Sequence, residues 1–174
     1  MSDTKDEMLP PLPGGRSVPA ATTDERTMLA SWLDFQRATL VHKCEGLTDE
    51  QARTAAAPPS GLSLLALVRH MTEVERHWFR RVLPKREIPP LYGGEGKGFE
   101  GPEDVTLADA LAALRAETAL ADAEAAPLPL DATGDFRGHA VSLRWIYLHV
   151  VQEYARHNGH ADLLRERTDG ATGF

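Results

Sequence analysis

Residues 142–167 read SLRWIYLHVVQEYARHNGHADLLRER, and the fold turns on the reading of that stretch. Ile146, Val150, Tyr154, Ala161 and Leu164 recur at helical spacing, which predicts one long helix with a single apolar stripe. Glu153, His157 and His160 stand on that stripe, where leucine or valine is the ordinary occupant. A carboxylate and imidazoles on a buried face cost free energy unless they are paired or hold a metal. Gly159 lies among them, at a mid-helix position where glycine costs about 1 kcal/mol relative to alanine. It is expected to mark a close approach by another backbone or a ligand.

Three more amphipathic helices precede this one. The first runs from Thr23, taken as its N-cap, to Gly46, with Leu29, Trp32, Leu33, Leu40 and Cys44 as its stripe. Gln36 interrupts that stripe, so it either satisfies a buried partner or lines a cavity. The second starts after Ser63 and stops at Leu83, before Pro84. Its apolar face is Leu64, Leu67, Val68, Met71, Val74, Trp78 and Val82, with His70 and His77 along the edge. The third spans Leu107 to Glu124, capped by Thr106, with Leu107, Leu111, Leu114 and Thr118 expected inward. A short helical turn is expected at Asp49–Arg53. Residues 84–105 form a long loop rich in glycine and proline, a kind of segment that often serves a functional site. Residues 88–92 and 139–141 suit extended backbone, without a clear strand pair. The expected fold is all-α, a four-helix bundle with long crossover connections. One domain over residues 23–170 would follow a disordered tail over residues 1–22.

The chain has 174 residues, a formal charge of −7 and 42% hydrophobic residues, the make-up of one soluble globular domain. No apolar run approaches the length of a membrane span. The segment MSDTKDEMLPPLPGG is acidic and proline-rich where a secretory signal is basic and then apolar, so a cytoplasmic location is the default expectation. The acidic balance and the absence of a basic run argue against a nucleic-acid partner. The single cysteine, Cys44, reads as a packing residue, and His42, His139 and His149 as ordinary boundary residues.

The chemistry concentrates on the last helix. Glu153 and His157 are four apart, so they meet on one face and can share one ion. A third ligand from a facing helix would leave a coordination position open, as in catalytic sites. His70 is the first candidate and His77 the second; they lie about 10.5 Å apart along their helix, so only one can join. The alternative is a hydrogen-bonded Glu–His pair in a non-catalytic binding or dimerisation module, its site decayed or purely structural.

SGLSLLALVRHMTEVERHWFRRVL (60–83) and EYARHNGHADLLRE (153–166) resemble the two motif blocks of DinB-like four-helix metalloproteins. The resemblance covers nearly all of residues 23–167 in order and spacing. Many members place a histidine four before the helix-four ligand; here that position is Glu153. This matches the N-terminal domain of the mycothiol-dependent maleylpyruvate isomerase branch. The resemblance implies His70, Glu153 and His157 as ligands of a divalent metal, often zinc, with nickel or ferrous iron also suited to the set. It further implies a low-molecular-weight thiol cosubstrate such as mycothiol, used in S-transfer to an electrophile or in isomerisation. Gln36, His77, His160 and the 84–105 loop would then touch the metal ligands or line the pocket of the cosubstrate. Trp145 and Phe79, expected at the surface, suggest a homodimer.

Overall fold

The computed structural model describes residues 16–93, 98–99, 101 and 104–173. The chain is mostly helical, and each long helix begins on a side chain that caps its free N–H groups. Helix α1 (Glu25–Lys43) starts on Asp24, whose carboxylate accepts the Thr27 N–H at 3.1 Å, one residue later than the sequence suggests. Helix α2 is Asp49–Arg53. Helix α3 (Leu64–Glu75) is capped by Ser63. Thr106 and Asp109 form a capping box at the start of α4 (Leu107–Ala125). Helix α5 (Leu143–Asp169) is capped by Ser142 and ends on Gly170 at φ 80°.

All twelve residues of α3 are buried, which makes it the centre of the molecule. It packs against both α4 and α5, while α1 lies along α5. Leu33, Leu40, Leu67, Met71, Leu114, Ile146, Val150 and Tyr154 meet between these helices, each at most 1% exposed. Burying one such aliphatic side chain contributes about 1.5–3 kcal/mol. A polar cluster lies within this core. Glu75 accepts two hydrogen bonds from Arg37 of α1, at 2.7 and 2.8 Å, and one from the Tyr154 hydroxyl of α5 at 3.0 Å.

Several details depart from the sequence reading. The second predicted helix does not stay α-helical to Leu83: it becomes a π-helix over Arg76–Val82. The bonds Leu83 N–H to Trp78 O and Arg86 N–H to Arg81 O extend the wider five-residue spacing. Helix α4 buries Leu107 and Leu114 as expected, with Leu111 partly buried against the core, and its inward face also takes in Ala110, Glu117, Ala121 and Ala125, which the sequence reading did not name. Its alanines are small enough for close contact, and Glu117 is buried because Arg76 and Arg80 pair with it, at 2.5 and 2.9 Å. Trp32 turns outward against Phe35. Phe79, expected at the surface, is 1% exposed and packs on Tyr147.

Strands β1 (Thr133–Phe136) and β2 (His139–Ser142) form an antiparallel hairpin that leads directly into α5. Arg137 and Gly138 make its turn at φ 56° and 83°, the left-handed pair of a two-residue hairpin loop. Residues 88–92 are irregular, not a strand. Gly159 faces open space: a Cβ there would meet nothing within 4 Å, so no backbone among the described residues approaches it. Of the N-terminal stretch, residues 1–15 lie outside the described residues. In the rest of it Pro19 is buried, and Arg16 donates to the Thr39 hydroxyl and lies over the Phe35 ring. No described helix is long and apolar enough to cross a membrane.

Candidate functional site

Helices α3 and α5 bring His70, Glu153 and His157 together. One ligand atom from each lies within 4.8 Å of the others. His157 Nε2 is 3.6 Å from a Glu153 oxygen, and the His70 and His157 rings are 4.6 Å apart, edge to face. Both imidazoles are buried, at 8% and 7% exposure. Burial, reinforced by His157, pushes the His70 imidazole down to about 4. His157 is pushed down by burial first and by His160 second. Both rings are therefore neutral near pH 7, with a lone pair to offer.

His70 Nδ1 is buried and has no hydrogen-bond partner among the described residues. An unsatisfied neutral nitrogen beside a second imidazole and a carboxylate is a donor set that a cation would complete. Two histidines and one carboxylate also match the ligand chemistry of a three-ligand zinc-type site. The residues thus fit a divalent metal on their own geometry.

The surroundings hold these three groups in place. His160 Nδ1 lies 3.3 Å from His157 Nδ1, leaving His157 Nε2 on the Glu153 side. Glu153 is shared, because its other oxygen is 3.8 Å from His149 Nε2. The Phe99 ring stacks on His70 at 4.0 Å and 13°. Gly98 makes that stacking possible: a Cβ there would sit 2.6 Å from the His70 Cα, so a side chain would lift the loop off α3. Farther along, Glu73 accepts the N–H groups of Leu91 and Tyr92 and pins the other side of the loop to α3.

A cavity of about 600 Å³ opens beside the trio, with His70 and Glu153 in its wall. That volume falls in the range of small-molecule sites. His77 also lines it and meets Phe136 and Trp78 edge to face, so it belongs to the cavity and not to the trio. Gln36 sits elsewhere: its side chain accepts from Asn158 at 2.7 Å and ties α1 to α5. Cys44 is buried and its thiol is pushed up to about 12 by desolvation, so it is no nucleophile at neutral pH.

The sequence reading took His149 as an ordinary boundary residue and singled out neither Phe99 nor Arg81. His149 had a signal, since His149, Glu153 and His157 repeat at four-residue spacing along one helix face. Phe99 had none, because its contact with His70 crosses a loop. Arg81 reaches the cavity wall on the π-helical segment, whose widened turn no apolar periodicity announces.

No curated protein matches the chain. A solved structure of a conserved protein from Enterococcus faecalis is similar in fold, with a TM-score of 0.61 and 15% identity. The match covers 86% of this chain and all of that one. The family model described as mycothiol-S-transferase matches residues 28–170. That span holds His70, Glu153 and His157 together with the helices that position them, and the chain belongs to the mycothiol-S-transferase family.

Proposed function

We propose that this protein is a divalent-metal-dependent S-transferase that uses a low-molecular-weight thiol of the mycothiol type, on a four-helix bundle of DinB-like architecture. The observation that carries the reading is the convergence of His70, Glu153 and His157 inside the family match. In it, these three residues hold the ion, with zinc the first candidate. A bound ion would supply Lewis acidity, lowering the pKa of a thiol presented at its open position. The chain's own groups do the rest. Burial keeps His70 and His157 deprotonated, Glu153 contributes the one negative charge, and His160 orients the His157 ring. Phe99 covers one face of His70, which directs access toward the cavity side. The electrophile that receives the sulfur would lie in that cavity.

Elemental analysis of protein purified without added metal tests this directly. About one ion per chain is expected, lost in His70→Ala and His157→Ala while circular dichroism stays helical. Metal-free protein at every stage, with no rise in melting temperature on adding zinc or nickel, would sink the reading.

A further inference from the structure

We infer that His149 is a positioning residue for the proposed ion: it holds one oxygen of Glu153, so that the other alone is presented alongside His70 and His157. The inference rests on the reading above that the trio binds a divalent metal. It goes further in giving a task to a histidine outside the ligand set, and a reason why a coordination position stays open.

The Glu153 carboxylate is divided between two imidazoles. Its Oε2 is 3.6 Å from His157 Nε2, and its Oε1 is 3.8 Å from His149 Nε2. His149 stands four residues before Glu153 and His157 four after, so all three share one face of α5. Yet the ligand atoms within 4.8 Å of one another come from His70, Glu153 and His157, which leaves His149 outside the set. A carboxylate without a second partner can give both oxygens to one ion, and that fills the place a thiol would need. A partner on Oε1 limits it to one. An imidazole can donate from Nε2 whether neutral or charged, so the role does not depend on its protonation. The 3.8 Å contact is longer than a formed hydrogen bond, and the soft terminal torsion of a glutamate can shorten it.

The His149 ring is itself held in place. It stacks on Trp145 at 4.8 Å with 7° between the planes, and the Trp78 ring meets it at 4.5 Å and 63°. The two tryptophans also touch, at 5.2 Å, so the three rings form one cluster. Aromatic neighbours on two sides leave the imidazole few rotamers, and a group locked by packing is what fixes a ligand's orientation. Phenylalanine would pack in this cluster as well as histidine does. The ring nitrogen aimed at Glu153 is the feature that packing does not explain.

Zinc affinity of the full-length protein, measured by competition with a chromogenic chelator, tests the inference, with the cobalt(II) absorption spectrum as a second readout. His149→Phe keeps a flat ring for the two tryptophans and removes the nitrogen. His149→Gln gives up the ring and keeps an N–H donor near the Nε2 position. The phenylalanine variant should bind zinc about 10–100-fold more weakly, with the melting temperature of metal-free protein unchanged, and the glutamine variant should recover most of that loss. Cobalt(II) in the unaltered protein should show the intense visible bands of four-coordination, weakened in His149→Phe as Glu153 gives both oxygens. Unaltered zinc affinity in His149→Phe overturns the inference, as does a loss that glutamine does not recover. A loss of affinity with no spectral change overturns it too, because Glu153 would then bind the ion alike with or without His149. Zinc lost from His149→Gln as completely as from His70→Ala would make His149 a ligand, and that also overturns it. If His149→Phe does not fold, His149→Leu against His149→Gln gives the same comparison, and equal affinities there overturn it. Unaltered protein that takes up neither metal sinks the metal-centre reading and this inference together, whereas uptake of both with a silent His149→Phe sinks the inference alone.

Discussion

His70 is the residue on which the site's acid limit turns. Burial and the adjacent His157 hold its imidazole at about 4 in the folded chain, against 6.5 when unperturbed. Between those values the unfolded chain binds more protons than the folded one, so stability falls as pH drops through that window. It is complete above about pH 6.5 and lowest near pH 4. Chelator-treated protein should therefore melt at progressively lower temperature from pH 6.5 to pH 4, and His70→Gln should flatten that dependence. An unchanged slope in the variant would show that another group carries it. The neighbouring pair was legible in the sequence, because Glu153 and His157 are four apart on an apolar stripe. Spacing alone left His70 and His77 as rivals on one helix edge. Resemblance favoured His70, and the geometry brings only that histidine of the two to Glu153 and His157.

At the scale of the element, Gly159 and the π-helical segment show two limits of reading by periodicity. A mid-helix glycine has two explanations, close approach or tolerance, and the sequence does not separate them. Open space around Gly159 leaves tolerance. Gly159→Ala should then stabilise α5 by about 1 kcal/mol, since alanine loses less backbone freedom. In a chain of this size that is a rise of roughly 2–4 °C in melting temperature, with metal content unchanged. A fall would mean that a ligand or partner occupies the position. The π-helix is invisible for a different reason: Val74, Trp78 and Val82 keep an apolar four-residue rhythm that α and π turns both accept. Helix α4 was legible in its leucines, since Leu107 and Leu114 are buried and Leu111 packs on the core, whereas the inward Ala110, Ala121 and Ala125 carry too little apolar bulk to announce a face. The caps at Ser63, Thr106 and Ser142 were readable because each needs only a local hydroxyl.

At the scale of the whole molecule, one polar cluster, buried at Arg37, Glu75 and Tyr154 and open to solvent at Asp122, joins the four long helices. Arg37 of α1 donates to Glu75 of α3 and to Asp122 of α4, and Tyr154 of α5 donates to Glu75. Glu75 and Tyr154 are both 0% exposed. Helical periodicity could not announce this cluster, because its members are far apart in sequence and each alone looks like a defect in an apolar stripe. Its geometry makes it a register device: a helix that slid by one turn would leave a buried charge without its partner. Removing one member therefore costs more than the interaction is worth. Breaking a buried ion pair typically costs about 3–5 kcal/mol. Glu75→Gln should fall at the low end, about 3 kcal/mol, because Asp34 and Asp122 still face the Arg37 guanidinium. For this chain length that is a drop of roughly 6–12 °C in melting temperature. Tyr154→Phe removes a single hydrogen bond and should cost about 1 kcal/mol. Thermal melts of the two variants, with metal content measured on the same samples, check the ordering. Equal losses in both would show that Glu75 acts as an ordinary hydrogen-bond acceptor, and that the helices are held in register by their apolar faces alone.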